Sequence, residues 1–160
     1  MAAFSVNEIV ELAVQIERNG YAYYDEATKR KDLDSKSLEL LTFLRDAELD
    51  HEKTFLGLRE ELDLDELELA GDWEMVSSYL NAIVAGRIFN DPNSAIKRAT
   101  EAKDVMEVIK NAITFEKDTL LYFHAINDAI KDDRARNVLR RVIQEEVSHV
   151  LLLNDIMKTL

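Results

Sequence analysis

The sequence predicts an all-α protein that folds as a four-helix bundle made of two helix hairpins. The 160 residues include only four glycines and one proline, which favours long helices with few turns. Apolar residues recur in steps of three and four over four long stretches, as on the buried face of a helix. The second half of the chain also repeats the first. Apolar residues make up 47% of the chain, which is enough for a packed core.

The first hairpin is predicted from its start signals and its short break. A Ser-Val-Asn-Glu motif of capping-box form begins at Ser5 and predicts a first helix over about 6–30. A short polar break then ends at Asp34 or Ser35, either of which can cap a second helix over about 36–61. Because this break is so short, the two helices must run antiparallel.

The crossover between the hairpins is long and contains an additional helix. Residues 63–71 form an acidic connection that ends in glycine, and the apolar stretch 73–89 predicts a short helix. Residues 90–93, Asn-Asp-Pro-Asn, are the strongest helix breaker in the chain, and we expect an ill-defined turn after them. Together these features predict one crossover helix between the two hairpins.

The second hairpin consists of predicted helices over about 102–130 and 134–158, separated by Lys131–Asp133. The four long helices, with one long crossover, define the bundle topology. We interpret residues 1–160 as a single domain with three parts: hairpin 5–62, crossover 63–103 and hairpin 104–160.

An internal repeat relates the two hairpins. Ile9–Tyr24 aligns with Val108–Phe123 at an offset of 99 residues, and Leu41–Phe55 aligns with Leu139–Leu153 at an offset of 98. The repeat predicts a pseudo-two-fold axis through the bundle.

Four carboxylates and two imidazoles occupy core positions of the four helical stripes. They are Glu17, Glu48, His51, Glu116, Glu146 and His149. Buried carboxylates are costly and repel one another, and the rest of the predicted core offers no Lys or Arg to pair with them. Two metal ions would remove this cost. Each Glu-x-x-His pair places both side chains on one helical face, and carboxylate oxygen with imidazole nitrogen suits iron or manganese, and zinc less specifically.

A single Glu-x-x-His in a Glu-rich helical chain is common and usually has no function. Here two such pairs stand in matching core phases, and each follows a core Glu by 31 or 30 residues. His124, the third histidine, has no histidine at its repeat position and is expected at the surface or in an interface. We interpret Glu145 as a solvated neighbour of Glu146. We expect three tyrosines to fill the core, and the alternatives are hydrogen bonds or electron relay near the metals: Tyr23, Tyr24 and Tyr122.

Four stretches resemble the ferritin-like di-iron carboxylate proteins, and specifically their rubrerythrin-like branch. They are IERNGYAYY (16–24), AELDHEKTF (47–55), ITFEKDTLLYF (113–123) and QEEVSHVLLL (144–153). The resemblance covers about residues 5–62 and 104–160 and implies two iron ions per chain. It implies that Glu17 and His51 bind one iron, that Glu116 and His149 bind the other, and that Glu48 and Glu146 bridge the pair.

The resemblance also implies a function, with several departures. Rubrerythrin-like proteins reduce peroxide or dioxygen, but Thr119 stands where a true rubrerythrin has a second Glu on this helix. The crossover is also longer than in rubrerythrin or bacterioferritin, because Glu116 lies 65 residues after His51. Because the chain has no cysteine, it lacks a rubredoxin domain and would need a separate electron-donor protein. Leu49 replaces the haem-ligating Met of bacterioferritin, so no haem is expected. Only eleven residues follow His149, too few for a cage-forming fifth helix. Iron sequestration without a cage, or a metal-stabilised structural role, are the alternatives.

Charge and hydropathy exclude other classes of function. With 20 basic and 32 acidic residues the net charge is −12, which disfavours nucleic acid and anionic membranes as partners. No apolar run reaches the roughly 18 residues of a membrane span, and the amino terminus lacks a signal-like stretch, so we expect a cytoplasmic protein. We expect a homodimer with the 73–89 helix in or near the interface, or alternatively a helix that simply caps the bundle.

Overall fold

The computed structural model describes residues 6–61, 73–84 and 91–160, which form a helical bundle. Its helices are α1 Val6–Thr28, α2 Ser35–Glu61, α3 Trp73–Val84, α4 Pro92–Glu101, α5 Val105–Ala129 and α6 Asp133–Met157. Helices α1 and α2 pack as one hairpin and α5 and α6 as the other, and the hairpins meet through α2 with α6 and α1 with α5. The predicted all-α bundle of two hairpins is therefore confirmed. Three predicted features lie outside the described residues: the cap at Ser5, the acidic connection 63–71 and the end of the crossover helix at 85–89.

The starts of the long helices follow from their capping residues. The side chain of Asp34 accepts a hydrogen bond of 2.7 Å from the backbone N–H of Ser37, so Asp34, and not Ser35, caps α2. Asp104 accepts from the N–H of Glu107 at 2.9 Å, which begins α5 at Val105, three residues later than predicted. Each side chain satisfies a donor that the first turn of a helix leaves free.

The expectation of an ill-defined turn after residue 93 was wrong. Residues Pro92–Glu101 form a helix, because the same Asn-Asp-Pro-Asn motif that ends one element begins another. Asp91 caps this helix by accepting from the N–H of Ser94 at 2.9 Å, and Pro92 occupies the first turn, where its missing N–H costs nothing. The described part of the crossover thus carries two helices, α3 and α4.

The core consists of two apolar clusters at opposite ends of the four long helices. One contains Ile9, Ala13, Val14, Phe55, Leu58, Leu80, Ile83, Tyr122, Phe123, Ile126, Ile130, Ala135, Leu139, Val142 and Ile143. The other contains Tyr23, Tyr24, Ala27, Leu41, Leu44, Ala95, Ala99, Ala102, Val108, Ile109, Ala112, Phe115 and Leu153. The six polar core residues of the sequence lie between them along every long helix, so the bundle encloses a polar layer within apolar ends.

Each crossover helix covers one of these clusters. Helix α3 packs on α5 and buries Leu80 and Ile83 in the first cluster, while Met75 and Tyr79 face solvent. Helix α4 packs on α1 through Ala95. Leu80 and Ile83 are thus buried against their own chain, and both the homodimer and the capping alternative stay predictions. No described helix is both long and apolar enough to cross a membrane.

Candidate metal centre

The structure brings all six predicted site residues together in the polar layer. Their exposed fractions are at most 3%: Glu17 0%, Glu48 1%, His51 2%, Glu116 0%, Glu146 0% and His149 3%. Helices α1 and α5 each supply one Glu, and α2 and α6 each supply a Glu and a His one turn apart. The six side chains therefore lie in the interior of the bundle, as their positions in the helical stripes predict.

Glu146 lies between the two imidazoles. Its Oε1 is 3.1 Å from Nδ1 of His51, and its Oε2 is 2.9 Å from Nδ1 of His149. The two rings stack with centroids 5.7 Å apart and an interplanar angle of 22°. One carboxylate thus contacts both histidines with different oxygens, which is the arrangement a bridging ligand needs.

Two overlapping groups of ligand atoms result. The His51 half-site consists of Glu17, Glu48, His51 and Glu146, each with one ligand atom within 4.8 Å of the others. The His149 half-site consists of Glu116, Glu146 and His149 by the same measure. Glu146 belongs to both half-sites, whereas Glu48 belongs only to the first. The cluster could therefore hold metal; that these six residues do bind metal stays a prediction.

Several carboxylate oxygens in this layer are buried without a hydrogen-bond partner among the described residues. Among the described residues, both oxygens of Glu17, both of Glu48 and Oε2 of Glu116 accept no hydrogen bond. Burial, together with the charges of neighbouring carboxylates, holds the pKa values of these three groups well above their usual range. A cation between them would supply the missing partners, and oxygen with imidazole nitrogen is a donor set that iron accepts. The residues therefore fit a metal.

Glu146 and His51 behave as an ion pair within this acidic cluster. Burial alone would raise the pKa of Glu146, but its hydrogen bonds to His149 and His51 outweigh burial and hold the pKa below the usual range. Burial alone would likewise lower the pKa of His51, but the hydrogen bond and charge of Glu146 raise it to about 9. In the absence of metal, a protonated His51 therefore neutralises part of the buried negative charge.

The three tyrosines have different roles. Tyr24 donates a buried hydrogen bond of 2.6 Å to Oε1 of Glu116, so for this tyrosine the alternative of a donor near the site is the better description. The other two hydroxyls donate to backbone carbonyls far along the chain, at 2.6 Å from Tyr23 to Val108 and at 3.2 Å from Tyr122 to Ile9. These two tyrosines fill the core and tie α1 to α5.

Glu145 has a contact that the sequence analysis missed. Its side chain is about half exposed, at 49%, as expected of a solvated residue, but its Oε2 lies 2.6 Å from Nε2 of His51. The repeat gives no sign of this contact, because Ala47 occupies the matching position on α2. No sequence signal shows the contact, because it depends on α6 packing against α2.

Gly20 allows the side chain of Glu48 to approach α1 closely. A Cβ at this position would lie 2.8 Å from Cδ of Glu48 and 2.8 Å from Cε1 of Phe115, closer than real Cβ atoms come to other heavy atoms. Thr119, its repeat partner on α5, is buried. His124 is exposed, as predicted for the histidine outside the cluster.

Comparison with known proteins supports the fold. No protein-family model and no curated protein sequence matches the chain. A solved structure from Thermotoga maritima, described provisionally as a ferritin-like diiron-carboxylate protein, superposes with a TM-score of 0.70. The two chains are 21% identical, and the match covers 99% of this chain and 97% of the other. The chain therefore has the ferritin-like helical bundle fold.

Proposed function

We propose that the His51 and His149 half-sites together hold two iron ions and that the chain is a redox enzyme that reduces peroxide or dioxygen. The observation that carries the proposal is the set of five buried carboxylate oxygens without hydrogen-bond partners in the described part of the chain, beside two imidazoles. A fold that left these groups without a cation would lose several kcal/mol to their desolvation.

In this proposal each ion has its own terminal ligands. Glu17 and His51 would hold one ion, and Glu116 and His149 would hold the other. Glu146 would be shared by both ions, whereas Glu48, which the resemblance makes a second bridge, lies in this structure with the ligand atoms of the His51 half-site. The two short contacts of Glu146 with the imidazoles support its bridging role. Manganese would suit the same donors, and zinc less specifically.

The metal pair would supply the electrons. A ferrous pair held here would supply the two electrons that, with two protons, convert one hydrogen peroxide to two waters or one dioxygen to one hydrogen peroxide, and a separate electron-donor protein would return them. The chain's own residues exclude water from the polar layer through the apolar clusters on both sides. Burial holds the pKa of Tyr24 well above its usual range, so this hydroxyl keeps its proton and continues to position Glu116.

We assign the chain to the rubrerythrin-like branch of the ferritin-like fold. The support is the Glu-x-x-His pair on both α2 and α6, with the four motif stretches named above. Thr119 stands where a true rubrerythrin has a second Glu on this helix, so α5 has no additional carboxylate at this position that could draw an ion towards it. We therefore propose peroxidase or ferroxidase chemistry in which the ions keep the same ligands throughout.

The experiment is anaerobic loading of the metal-free chain with ferrous iron, followed by elemental analysis and stopped-flow mixing with hydrogen peroxide and excess reductant. We expect two irons per chain and repeated peroxide consumption faster than that of free ferrous ion. Glu146→Ala, which removes the shared carboxylate, is the control and should abolish both. If the iron is oxidised once and does not turn over, the result would contradict the enzyme proposal and support iron sequestration. If bound metal only raises the thermal midpoint, the result would support a structural role.

A further inference from the structure

We propose that Glu145 is a positioning residue that makes the two half-sites unequal, so that the His51 half-site takes up a divalent cation first and more tightly. The inference rests on the proposed function, because it requires both half-sites to bind metal. It concerns the neighbours of the ligands, which differ between the two hairpins although the ligands themselves repeat.

The first difference is the support of the imidazoles. His51 is held at both ring nitrogens, by Glu145 at 2.6 Å from Nε2 and by Glu146 at 3.1 Å from Nδ1. A carboxylate on the outer nitrogen keeps a proton there and directs the other nitrogen towards the ligand cluster. Since Glu145 is about half exposed, it makes this contact without the full cost of burying another carboxylate.

His149 lacks the equivalent support. The repeat position of Glu145 is Ala47, whose methyl group cannot accept a hydrogen bond. In the described part of the chain no carboxylate contacts Nε2 of His149, and the ring instead meets the edge of Phe43 at a centroid distance of 5.9 Å. An aromatic edge limits the movement of the ring but does not fix which nitrogen carries the proton.

The second difference concerns the number of available oxygens. The His51 half-site offers four ligand groups and the His149 half-site three. Tyr24 donates to Oε1 of Glu116 and so occupies part of that ligand. Neither oxygen of Glu17 accepts a hydrogen bond among the described residues, and its Oε2 lies 3.5 Å from Nδ1 of His51. The repeat position of Tyr24 is Phe123, which has no donor. Both differences favour the His51 half-site.

The test is titration of the metal-free full chain with Co²⁺, followed by calorimetry and by the visible absorption of the bound ion, which reports its ligands. The wild-type chain should show two binding steps, the first one tighter. Glu145→Ala should weaken the tighter step by about 10–100-fold, the usual effect of losing such an outer carboxylate, and leave the weaker step unchanged. Glu145→Gln keeps an acceptor and should restore most of the affinity.

Ala47→Glu provides the matched gain of function. This position is partly exposed and its new carboxylate would mirror Glu145 beside His149, so the weaker step should tighten and the gap between the steps should narrow. If Glu145 only supported the fold, its loss would weaken both steps alike and Ala47→Glu would gain nothing. Should Glu145→Ala fail to fold, Ala47→Glu still decides the question.

Two results would overturn the inference while leaving the proposed function intact. One is a wild-type chain that binds two Co²⁺ ions with equal affinity. The other is a Glu145→Ala chain whose tighter step is unchanged. A wild-type chain that binds one ion or none would instead contradict the dinuclear site itself, so the two failures are distinguishable by the number of ions bound.

Discussion

The two hairpins place the same candidate ligands at matching positions but surround them with different neighbours. Each contributes one Glu from its first helix and a Glu-x-x-His pair from its second, at offsets of 99 and 98 residues. Three repeat pairs beside these ligands differ in chemistry: Gly20 with Thr119, Tyr24 with Phe123 and Ala47 with Glu145. The comparison teaches that the helix geometry fixes where ligands can stand, whereas the neighbours decide how each ligand is held.

The largest expected effect is on metal content, and it distinguishes Glu146, which both half-sites share, from Glu48, which groups with one. Glu146 contacts both histidines, so Glu146→Ala should reduce the metal content from two ions per chain to nearly none. Glu48 groups with the ligand atoms of the His51 half-site and not with those of the His149 half-site, so Glu48→Ala should empty the His51 half-site more completely than the other. Elemental analysis after loading with two equivalents of metal measures both. A Glu48→Ala/Glu146→Ala chain that still holds two ions would remove these residues from the site.

The sequence predicts well which polar residues lie in the core, because their constraint is periodic. A buried polar residue in the phase of an apolar stripe is visible without coordinates, as for Glu17 and Glu116. The contact of Glu145 with His51 is not visible, because it depends on how two helices far apart in the chain pack. The helix that begins at Pro92 was missed for another reason, since a motif that ends one helix also has the residues that begin the next.

The second prediction concerns stability against pH in the metal-free chain. Folding raises the pKa values of Glu17, Glu48 and Glu116 above the ordinary 4.5, so their ionisation opposes folding and stability increases as pH falls from 7 towards 5. The raised pKa of His51, about 9 against an ordinary 6.5, contributes stability that is complete below 6.5 and is lost as pH rises towards 9. The lowered pKa of Glu146 contributes stability above 4.5 that is lost in stronger acid.

The thermal midpoint of the metal-free chain should therefore rise as the pH is lowered from 9 to about 5, and should fall at still lower pH. The thermal midpoint of the iron-loaded chain should instead fall as the pH is lowered from 7 to 5, because protons compete with metal for Glu and His.

The comparison of half-sites sharpens this test. Glu17→Gln should stabilise the metal-free chain more than Glu116→Gln, because Tyr24 already satisfies one oxygen of Glu116. Parallel curves with and without iron would mean that these residues are not a metal site.

A third prediction replaces Tyr24 by phenylalanine, the residue at its repeat position, Phe123. Tyr24→Phe leaves Oε1 of Glu116 buried without its donor and should lower the free energy of unfolding of the metal-free chain by about 1–3 kcal/mol. Chemical denaturation measures the change. Tyr23→Phe, which removes a hydroxyl bonded to a backbone carbonyl outside the site, is the matched control. Iron should reduce the loss in Tyr24→Phe but not in Tyr23→Phe, and an equal loss with and without iron would argue that Tyr24 serves the core alone.

The smallest expected effect tests the close approach of Glu48 to α1. Gly20→Ala places a methyl group 2.8 Å from both Glu48 and Phe115, so we expect a loss of about 1–3 kcal/mol from overpacking. Gly57→Ala is the control, because a Cβ there meets nothing within 4 Å among the described residues, and it should stabilise α2 by about 0.5–1 kcal/mol. If Gly20 serves the site, Gly20→Ala should also weaken cation binding at the His51 half-site more than at the His149 half-site. Equal weakening of both would show that Gly20 matters only for packing.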